Sequence, residues 1–225
     1  LYLLMALAAG LVFGRMSQEL RRPNVAIALV LMAGNYGLRA AAHYEAIALA
    51  PQLFGPALPA RCDPAHPTGV VSAWPVPATS PPSDRRCLVD VAALPTFLSP
   101  FRWTVIAQTS DAYEVQQVNL LDARYRQAES PGGGILWRRS RHFPNPWTAT
   151  VADAARAETA RTFLGFSRFP LVRAAPGPEG VITATWTDMR FAGAPTAPGT
   201  AAANPFSVAI QIAPDGRILS EGFGR

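Results

Sequence analysis

Residues 181–191 read Val-Ile-Thr-Ala-Thr-Trp-Thr-Asp-Met-Arg-Phe. The stretch alternates with the period of a β-strand. Val181, Thr183, Thr185, Thr187, Met189 and Phe191 fall on one face, and Ile182, Ala184, Trp186, Asp188 and Arg190 on the other. A face that carries Trp, Asp and Arg departs from a plain core face. Asp188 and Arg190 are therefore candidate binding residues. The competing role is a structural ion pair that ties the strand to a helix or to the segment entering the domain.

Working outward, residues 171–175 predict a preceding strand, joined through the turn Pro176-Gly177-Pro178-Glu179-Gly180. Downstream, residues 206–212 alternate, with Phe206, Val208, Ile210 and Ile212 inward. Pro214-Asp215-Gly216 is a turn signal, and residues 217–223 return as the last strand. Upstream, residues 150–166 predict one helix, capped by Thr150 with Asp153 three positions on. Its apolar stripe is Ala157, Ala160, Phe163 and Leu164, and Pro170 stops it. Further back, residues 103–109 and 112–121 form a hairpin about Ser110-Asp111. Residues 94–103 form an entry segment holding Pro95 and Pro100. There Arg102 and Trp103 are a second candidate binding pair, with an anchor at the domain entrance as the alternative. Residues 88–225 thus predict a small, mostly antiparallel sheet with one helix on its face, an α+β domain without internal repeat.

The N-terminal part differs in kind. Residues 1–14 are apolar and span about 21 Å as a helix, against roughly 30 Å of hydrocarbon. They read as a truncated transmembrane helix, which makes the chain the C-terminal portion of a longer membrane protein. Arg15, Arg21 and Arg22 in a polar loop suggest the cytoplasmic side. Residues 25–50 read as a second helix, whose later turns carry Arg39, His43 and Glu45. These line a site between helices or meet headgroups and water. Residues 1–50 therefore predict a transmembrane helix hairpin and 51–87 a proline-rich linker. The following domain falls outside the cytoplasm. The linker holds Cys62 and Cys87, whose readings are a disulfide suited to an oxidising compartment or two free thiols.

The net charge of +5 arises from twenty arginines and no lysine, scattered without a basic stripe. That pattern follows a GC-rich codon bias and gives no nucleic-acid track. Gly132-Gly133-Gly134 lacks the Lys-Ser/Thr of a phosphate loop. His43, His66 and His142 lie in different segments without ligand spacing, so no metal site is read from the residues.

The ordered set LPTFLSPFRWTVI, a Tyr-bearing hairpin, FLGFSRFP, TDMRF and PFSVAIQIAPDGRI resembles the C-terminal region of a bacterial family. That family is the inner-membrane-bound metal-dependent hydrolases, also described as LexA-binding membrane proteins. The likeness covers about residues 25–225. It implies an N-terminal bundle of membrane helices whose His and acidic residues hold a divalent metal. It transfers no metal ligand and no catalytic residue to this sequence. The expected function is the membrane-anchored portion of a metal-dependent hydrolase, with the catalytic metal in helices upstream. The alternative is a non-catalytic, membrane-tethered binding or assembly domain. The expected setting is the bacterial inner membrane with the folded domain in the periplasm. The lipid bilayer is the expected partner, and a protein partner is also compatible.

Overall fold

The computed structural model describes residues 18–55, 58–62, 86–96, 99–122, 140–191 and 206–224. Their architecture is α+β, with two four-stranded antiparallel sheets where one is predicted. Helix α1 (Gln18–Ala48) and the short α2 (Ala50–Phe54) precede the first sheet. Its strands β1 (Leu88–Pro95), β2 (Arg102–Thr109), β3 (Ala112–Asn119) and β4 (Arg141–Pro144) pair in chain order. Helices α3 (Ala149–Ala154) and α4 (Glu158–Phe166) precede the second. Strands β5 (Pro170–Pro176), β6 (Ile182–Asp188), β7 (Ser207–Ile212) and β8 (Ile218–Phe223) again pair in order.

Each sheet buries one face under its own helices. On the first, Ala42 and Ala46 of α1 and Ala50, Leu53 and Phe54 of α2 pack on Trp103, Val105, Ala107 and Val118. Alanines at four-residue spacing form one face of a helix and allow close approach to the strands. On the second, Val151, Ala154, Ala160, Phe163 and Leu164 pack on Val172, Ala184, Trp186, Val208, Ile210 and Ile212. The opposite strand faces meet each other through Ala92, Ile106 and Tyr113 on one side and Phe169, Leu171 and Met189 on the other. The layers therefore run helix, sheet, sheet, helix. Tyr113 Oη donates to the Pro170 carbonyl at 3.2 Å across this joint. Burial, then the negative charge of Asp188, pushes the phenol pKa above its usual range, so Tyr113 stays a neutral donor. Asn145 adds a second stitch. Its backbone N–H donates to Asp111 O at 2.7 Å. Its Oδ1 accepts from Val172 N at 2.8 Å.

Several expectations are corrected. Strand β1 spans the predicted start of the domain and the first two residues of the entry segment, and β4 lies where no element is predicted. The predicted helix over 150–166 is two helices. Thr148, not Thr150, caps the first, its side chain accepting from Val151 N at 3.3 Å. Ala157 is extended (φ −55°, ψ 145°) and opens the second, where Glu221 Oε2 of β8 accepts from Thr159 N at 2.8 Å. The strand read at 181–191 ends at Asp188, and 189–191 form a turn. Its Trp-bearing face is the core face, with Ala184, Trp186 and Asp188 buried.

The predicted transmembrane hairpin finds no support. The helix already runs from Gln18 through the region read as a polar loop, and residues 1–14 lie outside the described residues. Among the described residues no helix is long and apolar enough to cross a membrane. The reason is visible in α1, where Asn35, Arg39, His43 and Glu45 interrupt the apolar run. Its last turns enter the core of the first sheet, so the folded unit begins well before Leu88.

Ile106 is fully buried in the joint between the sheets. Ile106→Ala should lower unfolding free energy by about 2–5 kcal/mol, the range for truncating a buried aliphatic side chain. Denaturant titration followed by far-UV circular dichroism should show a single transition that moves as a whole.

Candidate functional site

Asp188 ends β6 with no solvent exposure. Its Oδ2 accepts from Ser167 Oγ at 2.8 Å and Arg168 N at 3.1 Å. Its Oδ1 accepts from Arg190 N at 2.9 Å. The Arg190 guanidinium closes on the carboxylate, Nε at 3.0 Å and Nη2 at 2.7 Å from Oδ2. Nη2 also donates to Phe166 O at 3.2 Å. Burial alone raises the carboxyl pKa. The hydrogen bonds from Arg190 and Ser167 and the guanidinium charge outweigh it and hold the group below its ordinary value. The two candidate residues thus form an ion pair that joins the end of β6 to the α4–β5 connection. Arg190 also lies over the Phe191 ring at 5.1 Å, and that ring stacks on Phe206 at 4.2 Å.

The second candidate pair separates. Trp103 is buried beneath α1, its Nε1 donating to Pro100 O at 2.9 Å and its ring 5.5 Å from that of His43. Arg102, the preceding strand residue, is exposed and belongs to the opposite face. Cys62 and Cys87 are joined in a disulfide. The bond sits beside a parallel bridge, where Leu88 N donates to Ala60 O and Cys62 N to Leu88 O at 2.8 and 2.9 Å. His66 and Gly132-Gly133-Gly134 lie outside the described residues.

A constellation absent from the sequence analysis lies on the first sheet. Strand β4 places His142 opposite Glu114 of β3. The Glu114 carboxylate is buried, and its Oε1 stands 2.7 Å from His142 Nδ1. Oε1 also accepts from Arg86 Nη2 at 3.0 Å, while Arg86 Nε donates to Asp111 Oδ1 at 3.1 Å. Arg86 is held by its neighbour: Ser110 N donates to Cys87 O at 2.9 Å, and Cys87 N to Ser110 Oγ at 3.3 Å. A carboxylate at that distance fixes the imidazole proton on Nδ1 and leaves Nε2 as an acceptor. The His142 side chain is half exposed. Two residues along the same face of β3, Gln116 is buried, and both atoms of its amide lack a hydrogen-bond partner. No family model, no curated protein and no solved structure matches the chain. The reading of this site therefore rests on its own geometry.

Among the described residues no three His, Cys, Asp or Glu side chains are grouped to hold a metal ion. The described residues do not fit the divalent metal that the family resemblance implies, and no step here runs through one.

Two expected outcomes follow from these environments. Asp188→Asn should cost about 3–5 kcal/mol near neutral pH, because it leaves the guanidinium without its buried partner. The folded-state pKa of Asp188 is lowered, so the unfolded chain binds the proton first as pH falls. The carboxylate's contribution is present above about pH 4 and lost as pH drops through the folded value. Thermal melts against pH should therefore show a shallower acid limb in the Asn variant. Gln116→Met removes an unpaired buried amide at similar volume and should raise the melting temperature, corresponding to about 1–2 kcal/mol.

Proposed function

We propose that this protein is the folded, extracytoplasmic lobe of a membrane-anchored hydrolase of the bacterial inner membrane. In this reading the hydrolytic metal is held by membrane helices outside the described residues, as the family resemblance implies, and the lobe covers or shapes that site. The observation that carries the anchoring is the surface of α1. Val25, Leu29, Val30, Leu31, Met32 and Leu38 are all exposed. The run from Leu29 to Met32 covers every direction around the helix axis, so no single face of the lobe could bury it. A contiguous exposed apolar surface of this kind calls for lipid or for another apolar helix. The Cys62–Cys87 disulfide suits an oxidising compartment.

A second reading is a non-catalytic, tethered assembly module. The Asp188–Arg190 pair favours it, since that pair is spent on joining β6 to the α4–β5 connection. The two readings share the anchor and differ in whether hydrolysis accompanies it.

The test of the anchor is fractionation of the full chain after alkaline carbonate washing. The expected result is retention in the membrane pellet. The combined variant Leu29→Asp, Val30→Asp and Leu31→Asp should shift the partition to the supernatant by at least about tenfold, given the cost of aspartate in an apolar layer. Wild-type protein recovered in the supernatant would sink the proposal. Chelator-sensitive hydrolysis of a phosphoester or ester panel by the membrane-embedded protein separates the two readings.

A further inference from the structure

We propose that the lobe carries an acid–base site of its own, in which His142 Nε2 activates water for hydrolysis of a carboxylic ester, with Glu114 as its positioning residue. This does not depend on the membrane reading, because every group involved lies on the first sheet or is tied to it. Two observations converge. The first is the pairing of a half-exposed imidazole with a buried carboxylate at 2.7 Å. Burying a carboxylate is costly, and a surface histidine needs no such support to be stable. A histidine held through Nδ1 presents Nε2 in a defined orientation. The second is Arg86, which reaches Glu114 at 3.0 Å and Asp111 at 3.1 Å and is set in place beside the Cys62–Cys87 bond. Its guanidinium adds a second, charged hydrogen bond to the Glu114 carboxylate.

The chemistry balances with water as the only co-reactant. The water oxygen bonds to the acyl carbon as one of its protons passes to His142 Nε2. The bond from the acyl carbon to the alcohol oxygen breaks, and the imidazolium returns that proton to the departing alkoxide. Among the described residues, the titratable and charged groups that meet His142 directly or through one partner are Glu114, Arg86 and Asp111. Arg141 precedes it on the strand and belongs to the other face.

The full chain in detergent is tested with p-nitrophenyl acetate and, separately, with diethyl pyrocarbonate read by peptide mass spectrometry. His142 should be acylated faster than N-acetylhistidine at the same pH, and Glu114→Gln should bring it back to the model rate. His142→Gln should lower ester turnover by about a hundredfold, the lower end for loss of a general base. Glu114→Gln should lower kcat and displace the acid limb of the pH–rate profile, which a purely structural change would leave in place. The proposal is overturned if His142→Gln retains turnover with an unchanged melting temperature. It is equally overturned if wild-type His142 reacts no faster than N-acetylhistidine, a measurement that needs no variant to fold.

Discussion

The structure depends on a buried negative charge at the end of β6. Asp188 is the acceptor for a hydroxyl, two backbone amides and a guanidinium. Each of those donors comes from the segment before β5 or from the turn after β6. Fixing them fixes where the second sheet begins, and with it the direction of the two residues that flank the knot. Met189 N donates to Phe169 O at 3.0 Å, and both side chains enter the joint between the sheets. A desolvated carboxylate is tolerable here because its hydrogen bonds and the adjacent cation are all supplied by rigid elements. The two sheets meet through a modest apolar cluster, so the geometry of that knot decides how they register.

The first sheet uses a different device at its corresponding corner. A disulfide and two backbone hydrogen bonds fix the segment around Ala60–Cys62 to the outer edge of β1. That occupies the edge of β1 at Leu88, where the strand begins. The same covalent anchor sets Arg86 against the β2–β3 hairpin, and Arg86 in turn meets Glu114. Edge protection and the placing of a charged side chain are thus one arrangement.

Much of the second sheet was legible in the sequence. Period-two runs, the Pro-Gly and Asp-Gly turns and the inward set Val208, Ile210 and Ile212 all follow from local rules. Phe206, read as inward, is exposed because the strand starts one residue later. The split of the 150–166 helix was not legible, since nothing in that alanine-rich run marks a stop. The break is instead matched by a cap from Glu221, 62 residues away. Strand β1 escaped because Pro95 and Pro100 read as loop, whereas Pro95 sits at the strand's end on a sheet edge, where no amide is required. β4 is four residues long and ends in Pro144, too short for periodicity to register. Missing β4 concealed the site on the first sheet. His142 and Glu114 are 28 positions apart and become neighbours only through strand pairing. Conversely, Asp188 and Arg190 stood out as polar residues in a strand, but their partner segment, 166–168, gave no hint of where it would fold.

Helix α1 joins two environments without a joint between them. It is one rod of 31 residues, about 46 Å long. Ala42 and Ala46 are sunk in the first core, while side chains two turns earlier stand clear of it. No proline or bulge lies between Val25 and Ala48 to absorb a bend. Whatever grips the outer half of this rod therefore steers the lobe like a handle. A roll of one residue about the helix axis, 100° for an α-helix, would drag β1 and β2 with it or strip the alanine row from Trp103.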